Sequence, residues 1–154
     1  MKNLIFATAL IYSINIPKMP ITFAIIKERK NPPDRRVVFS PEKCQDVIKK
    51  FPDARIIVEA SEMRIFPDEA YRDAGFEVLA DISAADVMLG VKEVPVEALI
   101  ADKKYFYFSH TIKKQPYNRK LLKAMLNKNI EMYDHETIVN ADNHRLIGFG
   151  YYAE

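Results

Sequence analysis

Residues 106–118 read FYFSHTIKKQPYN. With Tyr105 in front, the run YFYFS is continuous and apolar, as suits a strand buried on both faces. The run then meets His110, followed by Lys113, Lys114, Gln115 and the turn-forming Pro116. Residues 86–95, DVMLGVKEVP, repeat the arrangement, an apolar run that ends on Lys92 and Glu93. Continuous apolar strands belong to parallel sheets, and in open α/β sheets ligands sit outside the carboxyl ends of the strands. Two such strands ending in proton-carrying side chains point to one site at one edge of a sheet.

Outward from these strands, the chain alternates strand and helix. ITFAII (Ile21 to Ile26) reads as the first strand, followed by the polar loop KERKNPPDRR with its Pro-Pro turn. Ser40 is a good N-cap with Pro41 at the first helical position. Cys44, Val47, Ile48 and Phe51 then form the stripe of a helix packed on one face. RIIVEA is the next strand, PDEAYRDAG a short helix closed by Gly75, and FEVLAD another strand. After the two apolar strands, YNRKLLKAMLNKN places Leu121, Leu122, Met125 and Leu126 on one helical face. IEMYD and HRLIGFG read as the last two strands. Strands separated by helices of this length imply right-handed βαβ crossovers. The predicted fold is α/β, a three-layer, mostly parallel twisted sheet flanked by helices, of the Rossmann-like or flavodoxin-like kind.

A length of 154 residues fits one domain with a real core. Residues 1–18, MKNLIFATALIYSINIPK, stand apart. Their apolar stretch from Leu4 to Ile16 is too short to span a bilayer as a helix, and no A-x-A site precedes Pro17. They are expected to be an upstream extension or a mis-assigned start rather than a signal peptide, leaving 19–154 as the single domain. The net charge of +2, from 23 basic and 21 acidic residues, argues against nucleic acid or a membrane surface as the partner. A lone cysteine, Cys44, excludes an internal disulfide, and its place on the helical stripe makes it a core residue. A cytoplasmic location is expected.

The residues able to carry chemistry gather at predicted strand ends. Lys92 and Glu93 end one strand, His110 the next, and Asp134 and Glu136 follow a third, with Arg35 and Arg36 in the loop region after the first. Each also has a structural reading. Lys92 and Glu93 suit a solvated surface pair, His110 a satisfied structural histidine, and Arg36 a partner for Asp34. His135 and His144 read as loop residues without a role. No Cys/His cluster has metal-ligand spacing, and no Ser-His-Asp order is present. The four glycines, 75, 90, 148 and 150, form neither G-x-G-x-x-G nor a P-loop, so no phosphate cradle is visible.

Four stretches carry a family likeness: KERKNPPDRRVVFSP, EMRIFPDEAYRDAGFEVLADISAADVMLGVKEVP, YFYFSHTIKKQPYNRKLL and YDHETIVNADNHRLIGFGYYA. The chain resembles the N-terminal domain shared by alanine dehydrogenase, transhydrogenase and saccharopine dehydrogenases, with most likeness to the lysine-ketoglutarate reductase and saccharopine dehydrogenase branch. LGVKEVP followed by FSHTIK at this spacing is the specific part.

The resemblance implies roles. Arg36 matches an arginine that holds a substrate carboxylate, Lys92 a lysine beside the reacting carbonyl or imine, and His110 the acid/base histidine. Glu93, Lys113 and Glu136 match polar groups around the site in the saccharopine enzymes. The implied function is the substrate-binding and catalytic half of an NAD(P)-dependent oxidoreductase acting on CH–NH bonds, with an amino acid and a 2-oxo acid as substrates. NAD or NADP is expected to be held by a glycine-rich domain in the same or a partner chain. None is expected for this chain alone, which is expected to be inactive by itself. The alternatives are an alanine dehydrogenase-like domain and a stand-alone binding or remnant domain.

Overall fold

The computed structural model of the protein describes residues 20–32 and 34–148. The expected extension at 1–18 lies outside the described residues. Six parallel strands form one sheet: β1 (Ile21–Ile25), β2 (Ala54–Glu59), β3 (Glu77–Leu79), β4 (Val87–Lys92), β5 (Lys104–Phe108) and β6 (Glu131–Asp134). Their spatial order is β3-β2-β1-β4-β5-β6. That is the Rossmann order; a flavodoxin-like sheet reverses after its second strand instead. The order reverses between β1 and β4, where the chain leaves β1 toward β2 on one side and β4 pairs on the other. A crevice therefore opens outside the carboxyl ends of those two strands.

Among the described residues, three α-helices flank the sheet: α1 (Pro41–Lys50), α2 (Asp68–Asp73) and α3 (Arg119–Asn127). The Ser40 side chain accepts the Lys43 N–H at 3.3 Å, Pro41 opens α1, and Lys49 and Lys50 sit in its last turn, where cations suit the helix dipole. Gly75 closes α2 with φ +94°, a left-handed geometry that needs glycine.

Neighbouring residues of β1 point to opposite faces and so feed two cores. Ile25, with Ile56 and Val58 of β2, packs against Cys44 of α1 and Tyr71 of α2. Ala24, with Met88, Tyr105 and Tyr107, packs against Leu121 and Met125 of α3. The buried tyrosines keep their hydroxyls satisfied. Tyr71 donates to the Phe39 carbonyl at 2.8 Å, and Tyr105 accepts the Ile100 N–H at 2.9 Å.

Three sequence expectations need correction. Residues 144–148 of HRLIGFG form no strand; the segment makes one antiparallel bridge, Val139 to Arg145, and residues 149 and 150 lie outside the described residues. Leu122 and Leu126 are 39% and 72% exposed, because the buried stripe of α3 is only as wide as the pair Leu121 and Met125, one turn apart. Phe51 comes after the last turn of α1, where the backbone is no longer helical, and is 55% exposed.

Candidate active site

The loop after β5 is tied down before it delivers His110. Ser109, fully buried, shares its hydroxyl with the Asp134 carboxylate and with Thr111 Oγ1 at 2.7 Å, and accepts the Thr111 N–H at 3.1 Å. The His110 carbonyl accepts from Asn118 Nδ2 at 3.0 Å. His110 itself has φ 57°, in the left-handed region that non-glycine residues rarely enter and that recurs at functional sites. These bonds hold the imidazole so that Nδ1 lies 3.1 Å from Glu136 Oε2. A carboxylate only accepts, so Nδ1 carries the proton in this bond. Nε2 is then the nitrogen left for proton exchange.

Glu136 is itself fixed. Its side chain is 4% exposed, and its backbone N–H donates to Asp134 Oδ1 at 2.9 Å. Glu136 Oε1 meets Lys113 Nζ at 3.1 Å and Arg145 Nη1 at 3.5 Å. Burial pushes the Glu136 carboxyl up, but the hydrogen bonds from Lys113 and His110 and their positive field outweigh it. The carboxyl is held below its usual range.

A second set of groups stands at the ends of β1 and β4. Arg36 clamps Asp34 from two sides, with Nε 2.9 Å and 3.1 Å from its two carboxylate oxygens and Nη2 on the second of them. This hydrogen bonding holds the Asp34 carboxyl at about 2, with Lys92 adding to the positive field. Glu28 accepts the N–H groups of Val91 and Lys92 at 2.7 and 2.9 Å. Burial raises its carboxyl above the ordinary value. Glu93 is ion-paired with Lys30. Burial raises the Glu93 carboxyl, yet Lys30 and, more weakly, His110 bring it below its usual range. Glu93 Oε2 is buried without a hydrogen-bond partner.

The two sets meet at Glu93, which pairs with Lys30 and feels the field of His110. The register sets Lys92 opposite Phe108, two residues before His110, on strands about 4.8 Å apart. Of the residues singled out from the sequence, His110, Lys113 and Glu136 form one contact cluster. Arg36 is paired with Asp34.

The structure also brings in residues the sequence reading passed over. Arg145 joins Glu136 from the segment expected to be a strand. Glu59, 3% exposed at the end of β2, binds the Lys27 N–H at 2.9 Å and the Arg29 guanidinium. It ends an apolar run as Lys92 does, so the same rule would have found it. Arg64 is buried, paired with Asp68 at 2.8 Å and placed over the Tyr71 ring. His135 was expected to be a bland loop residue. It is 6% exposed and edge-on to Phe108 at 5.0 Å, and burial lowers its pKa.

A cavity of about 750 Å³ has a mostly apolar lining, with His135 on its wall. It runs over the sheet face between α1 and residues 138–147, with Phe23, Leu89 and Phe106 on its floor. An apolar trough cannot neutralise a dicarboxylate, so the charged edge is the better site for polar substrates. Among the described residues there is no cluster of three metal-ligating side chains, and no helix is long and apolar enough to cross a membrane.

Known proteins share this sequence and fold. The sequence is 35% identical over 133 residues to alpha-aminoadipic semialdehyde synthase of Arabidopsis thaliana, covering 84% of this chain and 12% of that protein. It is 30% identical over 145 residues to saccharopine dehydrogenase [NAD(+), L-lysine-forming] of Candida glabrata, covering 88% of this chain and 37% of that protein. The chain thus spans only a fraction of the length of the curated relatives it matches. The fold is shared with a solved transhydrogenase of Sinorhizobium meliloti, at TM-score 0.62 and 22% identity, over 75% of this chain and 35% of that one. It is shared too with a solved L-alanine dehydrogenase, at TM-score 0.65 and 18% identity, over 80% and 35%. The family profile for the alanine dehydrogenase/PNT N-terminal domain matches residues 24–154, and the chain belongs to that family.

Proposed function

We propose that this chain is the substrate-side half of an NAD(P)-dependent oxidoreductase of saccharopine type. It would act on the C–N bond that joins an amino acid to a 2-oxo acid. The observation that carries this reading is the contact cluster at the carboxyl edge, His110 on buried Glu136 with Lys113 on the same carboxylate. The relatives' names, saccharopine dehydrogenase and alpha-aminoadipic semialdehyde synthase, point to the same substrate class.

In this reading each group has a task. His110, its Nδ1 proton held by Glu136, exchanges a proton at the substrate nitrogen or carbonyl oxygen through Nε2. Lys92, at the mouth of the neighbouring strand, donates a hydrogen bond to the carbonyl or imine. Arg36 takes a substrate carboxylate, a planar match for its guanidinium. Lys113 supplies a second cation, and Glu93 accepts from the substrate ammonium. The nicotinamide is assigned no residues of this chain in this reading. Gly75 closes a helix and Gly90 lies inside β4, so neither makes the glycine-rich turn that lets backbone N–H groups reach a pyrophosphate. In this reading NAD or NADP is held by another domain, in the same or a partner chain.

The test is a titration of the ¹⁵N-labelled chain with saccharopine, 2-oxoglutarate and pyruvate. Saccharopine and 2-oxoglutarate should shift the His110 and Lys92 amides, and Arg36→Ala should abolish the response. Shifts with pyruvate alone would favour alanine dehydrogenase-like chemistry. No response to any of the three refutes a substrate-side role.

A further inference from the structure

We infer that Glu28 is a positioning residue for this site, a carboxylate brace that fixes the backbone of Lys92 where β4 leaves the regular sheet. The inference rests on the substrate-side reading above and adds to it a residue that does not touch substrate.

The pairing of β4 with β5 runs in step through Val87, Met88 and Leu89, opposite Lys104, Tyr105 and Phe106. It resumes with Lys92 opposite Phe108, so β4 carries one extra residue, a bulge, directly before the lysine. On its other side β4 pairs with β1 only as far as Leu89, whose carbonyl accepts the Ile26 N–H at 3.0 Å. Past that point the backbone of β1 no longer serves β4. The Glu28 carboxylate takes over, one oxygen on the Val91 N–H at 2.7 Å and the other on the Lys92 N–H at 2.9 Å.

Gly90 is the second, independent sign. A Cβ at this position would sit 2.9 Å from Ile26 Cδ1 and 3.6 Å from Glu28 Oε1. The end of β1 presses on β4 at the one residue with no side chain, and this close approach lets the carboxylate reach across. A bulged strand end held only by its neighbours is free to shift, and a shift of about 1 Å at a reacting group is costly. The brace removes that freedom just before Lys92.

The experiment compares wild type, Glu28→Gln and Glu28→Ala in this chain. Glutamine keeps the size but turns an NH₂ toward one of the two N–H donors, so one bond is lost. Alanine loses both. Three quantities are read: the Val91 and Lys92 amide signals, the affinity for saccharopine, and the protection of Lys92 by saccharopine from acetylation, relative to exposed Lys123 in the same molecule. The expected result is displaced Val91 and Lys92 amides with unchanged α3 amides. Affinity should fall roughly tenfold or more in Glu28→Gln, as for a lost hydrogen bond to a charged group. Protection of Lys92 should fall in step. Should Glu28→Ala fail to fold, Glu28→Gln decides alone. Amides that move while affinity and protection stay at wild-type values would make Glu28 a purely structural brace and overturn the inference. Wild-type chain that binds no saccharopine would instead sink the substrate-side reading, and this inference with it.

Discussion

Asp34→Asn offers a measurement whose size can be worked from the geometry. Asp34 is clamped by the Arg36 guanidinium, and its carboxyl is held at about 2 against an ordinary 3.8. One pKa unit is worth about 1.4 kcal/mol, so the shift sets a ceiling of about 2.5 kcal/mol. Arg36 is 41% exposed, and solvent screening reduces the pair's contribution to about 1 kcal/mol. The folded-state pKa lies below the unfolded one. The stabilisation is therefore complete above the unfolded value and is lost as pH falls through the folded one. Urea unfolding of wild type and Asp34→Asn at about pH 7 should differ by about 1 kcal/mol, wild type being the more stable. Near pH 2 the difference should shrink to a few tenths. Every other carboxylate titrates in both proteins, so the comparison isolates Asp34. A difference that does not depend on pH, or a variant more stable than wild type at neutral pH, would refute the reasoning.

Three further outcomes are expected. In the complete oxidoreductase that carries this domain, His110→Ala should lower turnover by roughly a hundredfold or more while the chain still folds; near-normal turnover would remove His110 from the proton path. Cys44 is fully buried, and burial pushes its thiol up to about 12, so Ellman's reagent should leave the native chain unlabelled until urea unfolds it. The chain alone should show no micromolar affinity for NADH or NADPH by fluorescence or calorimetry, since its four glycines spell neither G-x-G-x-x-G nor a P-loop.

The sheet was readable because its strands are strong local signals. DVMLGV and YFYFS are long apolar runs, and both became central strands, β4 and β5. The α1 cap was equally plain, as Ser40 before Pro41 leaves little choice. HRLIGFG misled because alternation of apolar residues specifies a strand only when a sheet edge is there to receive it; residues 139–145 fold back on themselves instead. The strand-end rule named His110, Lys92, Glu93 and Glu136, yet it could not say who pairs with whom. Lys113 and Glu136 are 23 residues apart in sequence, and only the parallel pairing of β5 with β6 brings their loops together. Glu28 was illegible for a different reason. It lies in a polar loop where a carboxylate looks ordinary, and its importance comes from a bulge on another strand.

The left-handed backbone at His110 governs how that position can be interrogated. A β-branched residue there would pay a conformational penalty before any chemistry is considered, and glycine would relieve the backbone while deleting the ring. Substitutions at 110 therefore report a mixture of main-chain strain and lost imidazole, weighted differently for each replacement. Asparagine tolerates the left-handed region and cannot act as an acid or base near neutral pH, so it isolates the ring's contribution. A saturation scan of this position should consequently sort by backbone tolerance when abundance is scored and by proton chemistry when turnover is scored, and the two rankings should disagree most at glycine and asparagine.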